Sequence, residues 1–398
     1  MRRRWLMLAL GTAAQTAACA FVYGVPYLAA ALRETAHLAL PQIGLLIACP
    51  TAGLVAALVA WGAAADRYGE RVVIATGLAG AAALLAVAAV PVGATGGTTA
   101  LGALLALAGA AGASVYSAGG RLVMGWFPAR ERGLAMGIRQ TSTPLGMGVA
   151  ALAVPALAAA YGVRGVLTFL AAVCGAVAGL VALFAADPPR PRVPRGPLAA
   201  ANPYRGTASL WRIHGAGALL VVPQFTAGAF ALVLLVDTRG WSPVGAGRLI
   251  AVAQVLGACF RIAAGRWSDR VGSRLRPMRQ LALATAVVVA AFALTAAVPS
   301  PLTAAALVLS VAITASTNGL SFTATAERAG PSWSGRALGV HNTGQNLTAA
   351  VVPPLGAALI SATGYWPALA AAAVVACGAA ALVPMDTSGT SAAVSSVP

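Results

Sequence analysis

The sequence predicts an all-α membrane protein with twelve transmembrane helices, arranged as two six-helix bundles that repeat each other in the same orientation. Hydrophobic residues make up 59% of the 398 residues and charged residues only 9%, and the mean hydropathy is +0.83. Apolar runs long enough to cross a hydrocarbon core of about 30 Å recur along the whole chain. Short motifs of the first half also return in the second half at a nearly constant offset.

The apolar runs, and the Gly- and Pro-containing segments between them, define the predicted transmembrane spans. Runs such as "AALLAVAAV" (residues 82–90) do not alternate apolar and polar residues, as the strands of a transmembrane β-barrel would. Gly and Pro also occur inside the runs, which transmembrane helices tolerate. The predicted spans cover residues 6–31, 41–64, 72–91, 98–125, 134–160, 166–186, 213–236, 244–264, 280–298, 303–326, 337–361 and 367–384.

A segment rich in Pro and Arg divides the chain, with six helices on each side. We expect residues 1–186 to form an N-terminal six-helix bundle, residues 187–212 a cytoplasmic linker, and residues 213–384 a C-terminal six-helix bundle. The polar tail, residues 385–398, is expected to be disordered. The N-terminus has the basic start and apolar stretch of a secretory signal, but the many later spans favour an uncleaved first helix.

The charge distribution predicts the orientation. The formal net charge of +17 comes from 26 arginines and no lysine, set against 9 acids. With the N-terminus inside, 19 of the 26 arginines fall in cytoplasmic segments and four in outer loops, as the positive-inside rule requires. Both termini are therefore expected in the cytoplasm. The net positive charge is therefore interpreted as a feature of membrane topology and not of nucleic-acid binding. The lysine-free composition indicates GC-rich coding, and hence a protein of a bacterial plasma (inner) membrane.

Several kinds of chemistry are excluded or unsupported. Without lysine there is no Walker-type phosphate loop and no Schiff-base lysine. The five cysteines lie inside apolar runs without a C-x-x-C spacing, and no His, Cys or Asp cluster has metal-ligand spacing. No nucleophile stands beside a general base. We therefore expect no enzyme activity, no cofactor and no metal, in a monomer whose partners are a small solute and the lipid bilayer.

The internal repeat predicts how the two bundles are oriented relative to each other. Six helices per half is an even number, so both halves cross the membrane in the same sense, as in one class of transporters. The offset is 203 residues in the first set of matches and 202 in the second. The matching residues are Gly62, Asp66, Arg67, Gly69 and Arg71 with Gly265, Asp269, Arg270, Gly272 and Arg274, and Gly133, Gly137 and Gly162 with Gly335, Gly339 and Gly364.

The charged stretches of the repeat predict a latch between the halves on the cytoplasmic side. In each stretch a Gly precedes an Asp by four residues, so both share one helix face. The Gly lets another helix approach closely, and the Asp can meet an Arg or the positive N-terminus of that helix. Simple retention of arginine on the inner side is the alternative. The predicted latch residues are Gly62, Asp66, Arg67, Gly69, Arg71, Arg261, Gly265, Asp269, Arg270, Gly272 and Arg274.

The doubled pattern G-x-x-x-D-R-x-G-x-R resembles the signature loop of the major facilitator superfamily. The segment "WFPARERGLAMGI" (residues 126–138) is similar to that family's loop between its fourth and fifth helices. The resemblance covers about residues 5–384. It implies alternating access, in which two bundles rock around a central site near the membrane midplane, and it implies that the first and fourth helices of each half line the cavity.

On that basis, polar residues within the spans are the candidate solute ligands. Glutamines in such positions also form helix–helix hydrogen bonds, and that alternative stays open. The candidates are Gln15, Tyr23, Tyr116, Arg121, Arg139, Gln224, Gln254, Asn318, His341, Asn342 and Gln345.

Arg121 and Arg139 carry the prediction about the solute. Each lies within a span, about 9 Å inward of the loop for Arg121, where a lipid-facing arginine would cost several kcal/mol. No acid lies deep in a span to neutralise them, and Asp66 is the nearest partner. Two weakly compensated arginines favour an anionic solute such as a carboxylate. Snorkelling to the inner surface, or a role in the latch, is the alternative.

His341 is the candidate for proton coupling, since its ordinary pKa lies near neutrality and it matches Arg139 in the repeat. A hydrogen-bonded packing histidine is the alternative. His37 and His214 are placed at the membrane rim and are assigned no role.

The sequence therefore predicts a secondary transporter of a small organic solute, with anions favoured. A proton-coupled drug or metabolite exporter is the first alternative. Ala150 and Ala151 stand where exporters of the family carry Gly and Pro, and the first span holds no acid to meet a cationic drug. A membrane sensor that does not transport is the second alternative.

Overall fold

The computed structural model describes residues 2–28, 32, 40–90, 97–188, 202–205, 207–298 and 300–385. Three features predicted above lie outside the described residues: the outer loop with His37, residues 189–201 of the linker, and all of the tail after Met385. The disordered tail therefore stays a prediction.

The described chain is helical throughout, without a strand in any of the described ranges. Two short 3₁₀ turns, Val25–Leu28 and Ala129–Glu131, supplement the helices. In chain order the helices are α1 (Arg2–Val22), α2 (Leu40–Tyr68), α3 (Glu70–Ala88), α4 (Gly97–Met124), α5 (Arg132–Arg139), α6 (Ser142–Phe184), α7 (Ser209–Arg239), α8 (Pro243–Val271), α9 (Leu275–Ala297), α10 (Thr303–Thr314), α11 (Asn318–Ala329), α12 (Ser334–Thr363) and α13 (Tyr365–Leu382).

The described helices are approximately consistent with the twelve predicted spans. Eleven stretches in the described ranges are long and apolar enough to cross a membrane, and one of them, Ala129–Phe184, holds two spans. Gly162 divides it with a φ of +65°, in the left-handed region that favours glycine. Its repeat partner Gly364, with a φ of +88°, separates α12 from α13 in the same way. The repeat thus extends to the backbone conformation between the last two spans of each half.

Two spans contain an internal break, which the apolar pattern did not predict. α5 gives way to α6 where the hydroxyls of Thr141 and Ser142 bond the carbonyls of Ile138 and Arg139. α10 gives way to α11 where Ser316 bonds the carbonyl of Ile313. A hydroxyl that occupies its own helix's carbonyl weakens the regular ladder, so these Ser- and Thr-rich points are where the helices bend.

The helices pack chiefly within their own half. In the first half α2, α3 and α4 pack together and α1 and α3 pack on α6, around a continuous apolar core. In the second half α7, α9 and α13 pack together and α8 packs on α10. The main contacts between halves join α2 to α12 and α5 to α8. These relations agree with the predicted fold class, and the bundle boundaries at residues 186 and 213 stay a prediction.

Candidate functional site

Asp66 at the end of α2 binds the start of α12 in the other half. Its carboxylate accepts hydrogen bonds from the backbone N–H groups of Gly335 at 2.9 Å and Arg336 at 3.2 Å. These are among the N–H groups that a helix leaves unpaired in its first turn. A buried carboxylate there also interacts favourably with the positive end of the helix dipole.

Asp269 makes the corresponding contact in the opposite direction. Its carboxylate accepts from the N–H groups of Gly133 at 2.9 Å and Leu134 at 2.8 Å, at the start of α5. Asp269 is the repeat partner of Asp66, and Gly133 is the repeat partner of Gly335. Each half therefore supplies one carboxylate and one helix N-terminus, so the two contacts are related by a pseudo-twofold axis.

Glycines let the backbones meet beside each carboxylate. A Cβ added at Gly62 would overlap the carbonyl group of Gly335, and a Cβ added at Gly335 would overlap that of Gly62. Gly133 and Gly265 are related in the same reciprocal way. Together with Asp66 and Asp269 these four glycines form what we call the latch, and the end of the bundle that holds it is the latch end.

Arg121 belongs to the latch end and not to the solute site, which corrects the expectation for this residue. Its guanidinium forms ion pairs with Asp66, at 2.6 Å, and with Glu70, and it donates to the Ala65 carbonyl at 2.7 Å. The sequence argument found no second acid because Glu70 was placed in a loop. In the structure Glu70 begins α3 and is buried against Arg121.

Replacing Arg121 by glutamine is expected to destabilise the protein by roughly 3–5 kcal/mol, because Glu70 would keep a buried charge without a cation. Asp66 would retain only its longer ion pair with Arg336, at 3.7 Å. The double variant Arg121→Gln/Glu70→Gln should recover part of that loss. Denaturant titration in detergent measures both. Arg130→Gln is the control, since the Arg130 side chain is 83% exposed. Stability of Arg121→Gln equal to that of the wild type would contradict the pairing.

The remaining predicted latch residues differ in their contacts: those of the first half contact their own half, whereas Arg274 donates to the Ala129 carbonyl of the first half and the Arg261 backbone packs against Gly137. Arg67 lies over the ring of its neighbour Tyr68, and Arg71 donates to the carbonyl of Ala182 at 3.0 Å within the first half. Gly69, with a φ of +95°, precedes α3, where the carboxylate of Asp187 accepts from the first N–H groups at 2.8 Å. These contacts of Arg71 and Asp187 join the start of α3 to the end of α6 within the first half.

In the second half, Arg274 joins Asp269 at 2.6 Å, and Gly272 ends α8 with a φ of +68°. Glu327 of that half reaches Arg132 of the first half at 3.5 Å, a contact that the sequence argument missed. Among the described residues Arg270 forms no hydrogen bond or ion pair with the other half. The backbone of Arg261 packs against Gly137, while its buried Nε and Nη1 have no hydrogen-bond partner in the described chain.

A central cavity of about 80 Å³ lies between the halves, away from the latch. The helix breaks between α5 and α6 and between α10 and α11 border it. Eight of the eleven predicted ligands line it, together with residues that were not among those candidates. Its lining is Gln15, Tyr23, Tyr116, Arg139, Gln140, Thr143, Val221, Gln224, Phe225, Asn318, Phe322, Asn342, Gln345, Asn346 and Ala349.

Arg139 is the only basic side chain among the described residues that line this cavity. It is 1% exposed and forms no ion pair with any described residue. Its Nη2 donates to the Val115 carbonyl at 3.2 Å, and its Nε has no hydrogen-bond partner in the described chain. A buried guanidinium without a carboxylate is unfavourable unless an anion reaches it.

Two further cavity residues have unpaired acceptors. The Oε1 atoms of Gln15 and Gln140 are buried without a hydrogen-bond partner among the described residues. Other lining groups bond one another: Asn318 donates to Gln224 at 3.2 Å, and Asn342 donates to the Tyr116 carbonyl in the other half at 3.1 Å. Three residues that line the cavity, Arg139, Gln15 and Gln140, therefore each have a buried polar atom without a hydrogen-bond partner among the described residues.

Two other predicted ligands lie outside this lining. Gln254 on α8 does not line the cavity. His341 is buried behind Gln345, whose Nε2 lies 3.3 Å from its ring nitrogen. The apolar members Val221, Phe225 and Phe322 carry no polarity signal in the sequence, and only the packing of α7 and α11 reveals them.

Comparison with known proteins agrees with this architecture. A family model described as Major Facilitator Superfamily matches residues 6–353. Two uncharacterized MFS-type transporters of Mycobacterium tuberculosis, from strains H37Rv and CDC 1551, are 44% and 43% identical over 386 residues, which cover 96% of this chain and 85% of each relative. These relatives are bacterial.

Solved structures of the same fold include three with full-length coverage. The human organic anion transporter MFSD10 has a TM-score of 0.73 at 16% identity and covers 96% of this chain and 99% of its own. The proton:xylose symporter XylE has a TM-score of 0.76 at 16% identity, covering 96% of both chains. FucP in the outward conformation has a TM-score of 0.71 at 16% identity, covering 94% and 98%.

The family model covers most of the chain, the bacterial relatives match nearly all of it, and the helices repeat and pack as the sequence predicts. The chain therefore belongs to the major facilitator superfamily of membrane transporters.

Proposed function

We propose that the solute which this secondary transporter carries across the plasma membrane is a small organic anion, such as a carboxylate, bound at Arg139. The observation that carries the proposal is a buried guanidinium in the central cavity with no acid to balance it. A carboxylate at this position would supply both the missing charge and an acceptor for Nε.

The unpaired acceptors refine the solute class. Gln15 and Gln140 line the same cavity, and their side-chain carbonyl oxygens have no partner among the described residues, which favours a solute with a hydroxyl group as well as a carboxylate. The small volume favours a solute of few atoms. The solved neighbours include an organic anion transporter and two sugar–proton symporters, but identities near 16% show the fold alone. The proposal therefore rests on Arg139 and the atoms around it.

The exporter alternative receives less support from the same cavity. A cationic drug in this cavity would meet the like charge of Arg139, and none of the described lining residues is acidic, although the lining does contain aromatic rings. The lining instead combines one arginine with amides and tyrosines.

Thermal-shift measurements on the purified protein test the solute class. We expect lactate, glycolate and succinate to raise the melting temperature in a saturable way, and tetraphenylphosphonium and ethidium to leave it unchanged. A solute at a hundred times its Kd stabilises by about 2.7 kcal/mol, which such a scan resolves. Stabilisation by the cations without any effect of the acids would overturn the anion proposal and favour the exporter.

Uptake into proteoliposomes tests transport itself. Counterflow of labelled lactate into vesicles loaded with unlabelled lactate is the expected result, because exchange requires only alternating access. Binding without counterflow would favour the sensor alternative.

A further inference from the structure

Two of the three histidines in the chain face each other in the second half. The Nδ1 atoms of His214 on α7 and His341 on α12 lie 3.1 Å apart, within hydrogen-bond distance. Gly217, one turn after His214, makes room for the pair, since a Cβ there would meet the His341 ring at 2.5 Å. The sequence placed His214 at the membrane rim without a role, so this pair was not expected.

The pair is continued by hydrogen-bonding groups on both sides. Toward the latch end, His214 Nε2 lies 2.9 Å from the hydroxyl of Tyr204, in the linker just before α7. Toward the membrane interior, His341 Nε2 lies 3.1 Å from Ser321 Oγ and 3.3 Å from Gln345 Nε2. Gln345 lines the central cavity. A continuous chain of polar groups thus runs from the cavity wall to the linker.

The chain is fully hydrogen-bonded with its protons in one arrangement. The Nε2 of Gln345 is also 3.4 Å from the Gly217 carbonyl, so this amide nitrogen is a donor, and His341 Nε2 accepts from it. His341 therefore carries its proton on Nδ1 and donates to His214 Nδ1. His214 then carries its proton on Nε2 and donates to the Tyr204 oxygen.

In the opposite arrangement both rings also find partners, although the hydrogen bond from Gln345 Nε2 is lost. When His341 carries its proton on Nε2, Ser321 Oγ accepts it while donating its own proton to the Asn318 carbonyl at 2.9 Å. His214 then donates from Nδ1 to His341, and its Nε2 accepts from the Tyr204 hydroxyl. Both ring tautomers therefore find partners, which is what a relay of protons through imidazoles requires.

We propose that His341, His214 and Tyr204 form a proton-transfer path between the central cavity and the linker, so that the solute of the proposed function moves with a proton. One proton adds to His341 Nε2 from the cavity side, and the Nδ1 proton of His341 passes to His214 Nδ1. The Nε2 proton of His214 passes to Tyr204, whose own hydroxyl proton leaves to water. One proton enters, one leaves, and both rings exchange tautomers.

The exchange of tautomers links the path to the solute site. After a proton has passed, His341 presents an N–H toward the amide N–H₂ of Gln345, so two donors face each other. Gln345 must then turn or move in the cavity wall. Proton passage and the arrangement of a solute-lining amide are therefore coupled through one hydrogen bond.

The groups around His214 and His341 favour passage of a proton through the rings over a lasting positive charge on either ring. The nearby basic groups on the packed helices are engaged elsewhere: Arg212 with carbonyls at the end of α13, Arg328 with Ser209, and Arg336 over the Trp333 ring. α13 carries no charged residue, and Thr325 of α11 adds a hydroxyl 3.5 Å from His341 Nδ1. No carboxylate of the described residues contacts either ring, so nothing holds an imidazolium in place.

Proteoliposomes with an internal pH dye test the path in the full-length protein. Proton influx is driven by an inward pH gradient, with and without external lactate, in wild type, His214→Gln, His341→Gln and His37→Gln. Potassium and valinomycin on both sides remove any membrane potential, because one proton that moves with one lactate anion carries no net charge. We expect the first two variants to lose at least tenfold in influx, and His37→Gln, which removes the third histidine, to keep it. Wild-type influx in His214→Gln, or no influx in wild type under any condition, would overturn the proposal.

Lactate counterflow separates this proposal from the one on which it rests. Exchange needs no net proton movement, so His214→Gln should retain counterflow while losing proton influx. Absence of counterflow in the wild type, with influx that depends on His214, would defeat the anion proposal and leave the path intact.

NMR of isotope-labelled histidines in nanodiscs checks the geometry without a solute. It should show one protonated and one unprotonated Nδ1 in the pair, coupled to each other, and two protonated Nδ1 atoms would contradict the chain.

Discussion

Replacing Arg139 by glutamine is expected to abolish carboxylate binding and, at the same time, to raise the thermal stability of the solute-free protein. The guanidinium is buried beside the cavity without a counter-ion, so it is unfavourable to the empty protein. A neutral side chain of similar size removes that cost. The same change removes the charged hydrogen bonds to the solute, each of which contributes about 1.5–3 kcal/mol.

The size of the expected loss follows from those bonds. Two of them correspond to at least a hundredfold weaker binding of lactate, measured as the concentration that gives half of the thermal shift. Arg139→Lys should fall between wild type and Arg139→Gln, because it keeps the charge but not the planar arrangement of donors. Arg261→Gln is the matched control, since Arg261 is also buried within a span but does not line the cavity.

The opposite signs of the two effects make the experiment decisive. An arginine that serves only packing should lower stability when it is lost and leave the lactate response unchanged. That outcome for Arg139→Gln, or equal loss of binding in Arg261→Gln, would contradict a solute role for Arg139.

The latch was predictable because its signal is local and doubled. Gly and Asp four residues apart define a helix face, and repetition at an offset of 203 residues indicates that both halves use this face in the same way. What such a face should meet, a close backbone and a helix N-terminus, follows from the lack of a side chain and from the charge. The residues Gly62, Asp66, Gly265 and Asp269 lie as that argument requires.

The ion pair of Arg121 and the histidine pair were not predictable in this way. The pairing of Arg121 with Glu70 depends on how α4 turns against α3, and the approach of His214 to His341 depends on where α7 crosses α12. Neither the rotation of α4 against α3 nor the crossing of α7 and α12 produces a periodic pattern in a single sequence.

The two helix breaks, in contrast, have a recognisable signal in the sequence. The runs "TST" at 141–143 and "TASTN" at 314–318 place hydroxyls where they bond their own helix, and both breaks border the cavity. Clusters of Ser and Thr inside a span therefore deserve weight as break signals, beyond their value as candidate solute ligands.

Replacing Gly265 by alanine is expected to open the latch end. A Cβ at this position would overlap the carbonyl of Gly133, a backbone atom that cannot move aside without shifting α5. Overpacking of this kind costs about 1–3 kcal/mol, which corresponds to a shift of roughly fivefold to more than a hundredfold in the balance between closed and open latch. Gly62→Ala, at the pseudo-twofold equivalent of Gly265, should act likewise through its contact with Gly335.

Spin labels at Arg67 and Arg270 measure the opening by pulsed dipolar spectroscopy, in a chain whose five cysteines have been replaced. Both residues are exposed, and they stand at equivalent positions in the two halves. Gly265→Ala should shift the distance distribution to longer values. Gly247→Ala on the same helix, where a Cβ has nothing within 4 Å, should leave it unchanged.

Alanine at Gly44 or Gly247 serves as a control that distinguishes loss of the latch contact from the general effect of adding a methyl group to a helix. Gly44 and Gly247 match in the repeat as Gly62 and Gly265 do, and a Cβ meets nothing within 4 Å at either. Alanine at all four positions adds the same methyl group to a helix of the same kind. Equal distance distributions for Gly265→Ala and Gly247→Ala would show that the halves do not close through these glycines, and alternating access would then need another contact at this end.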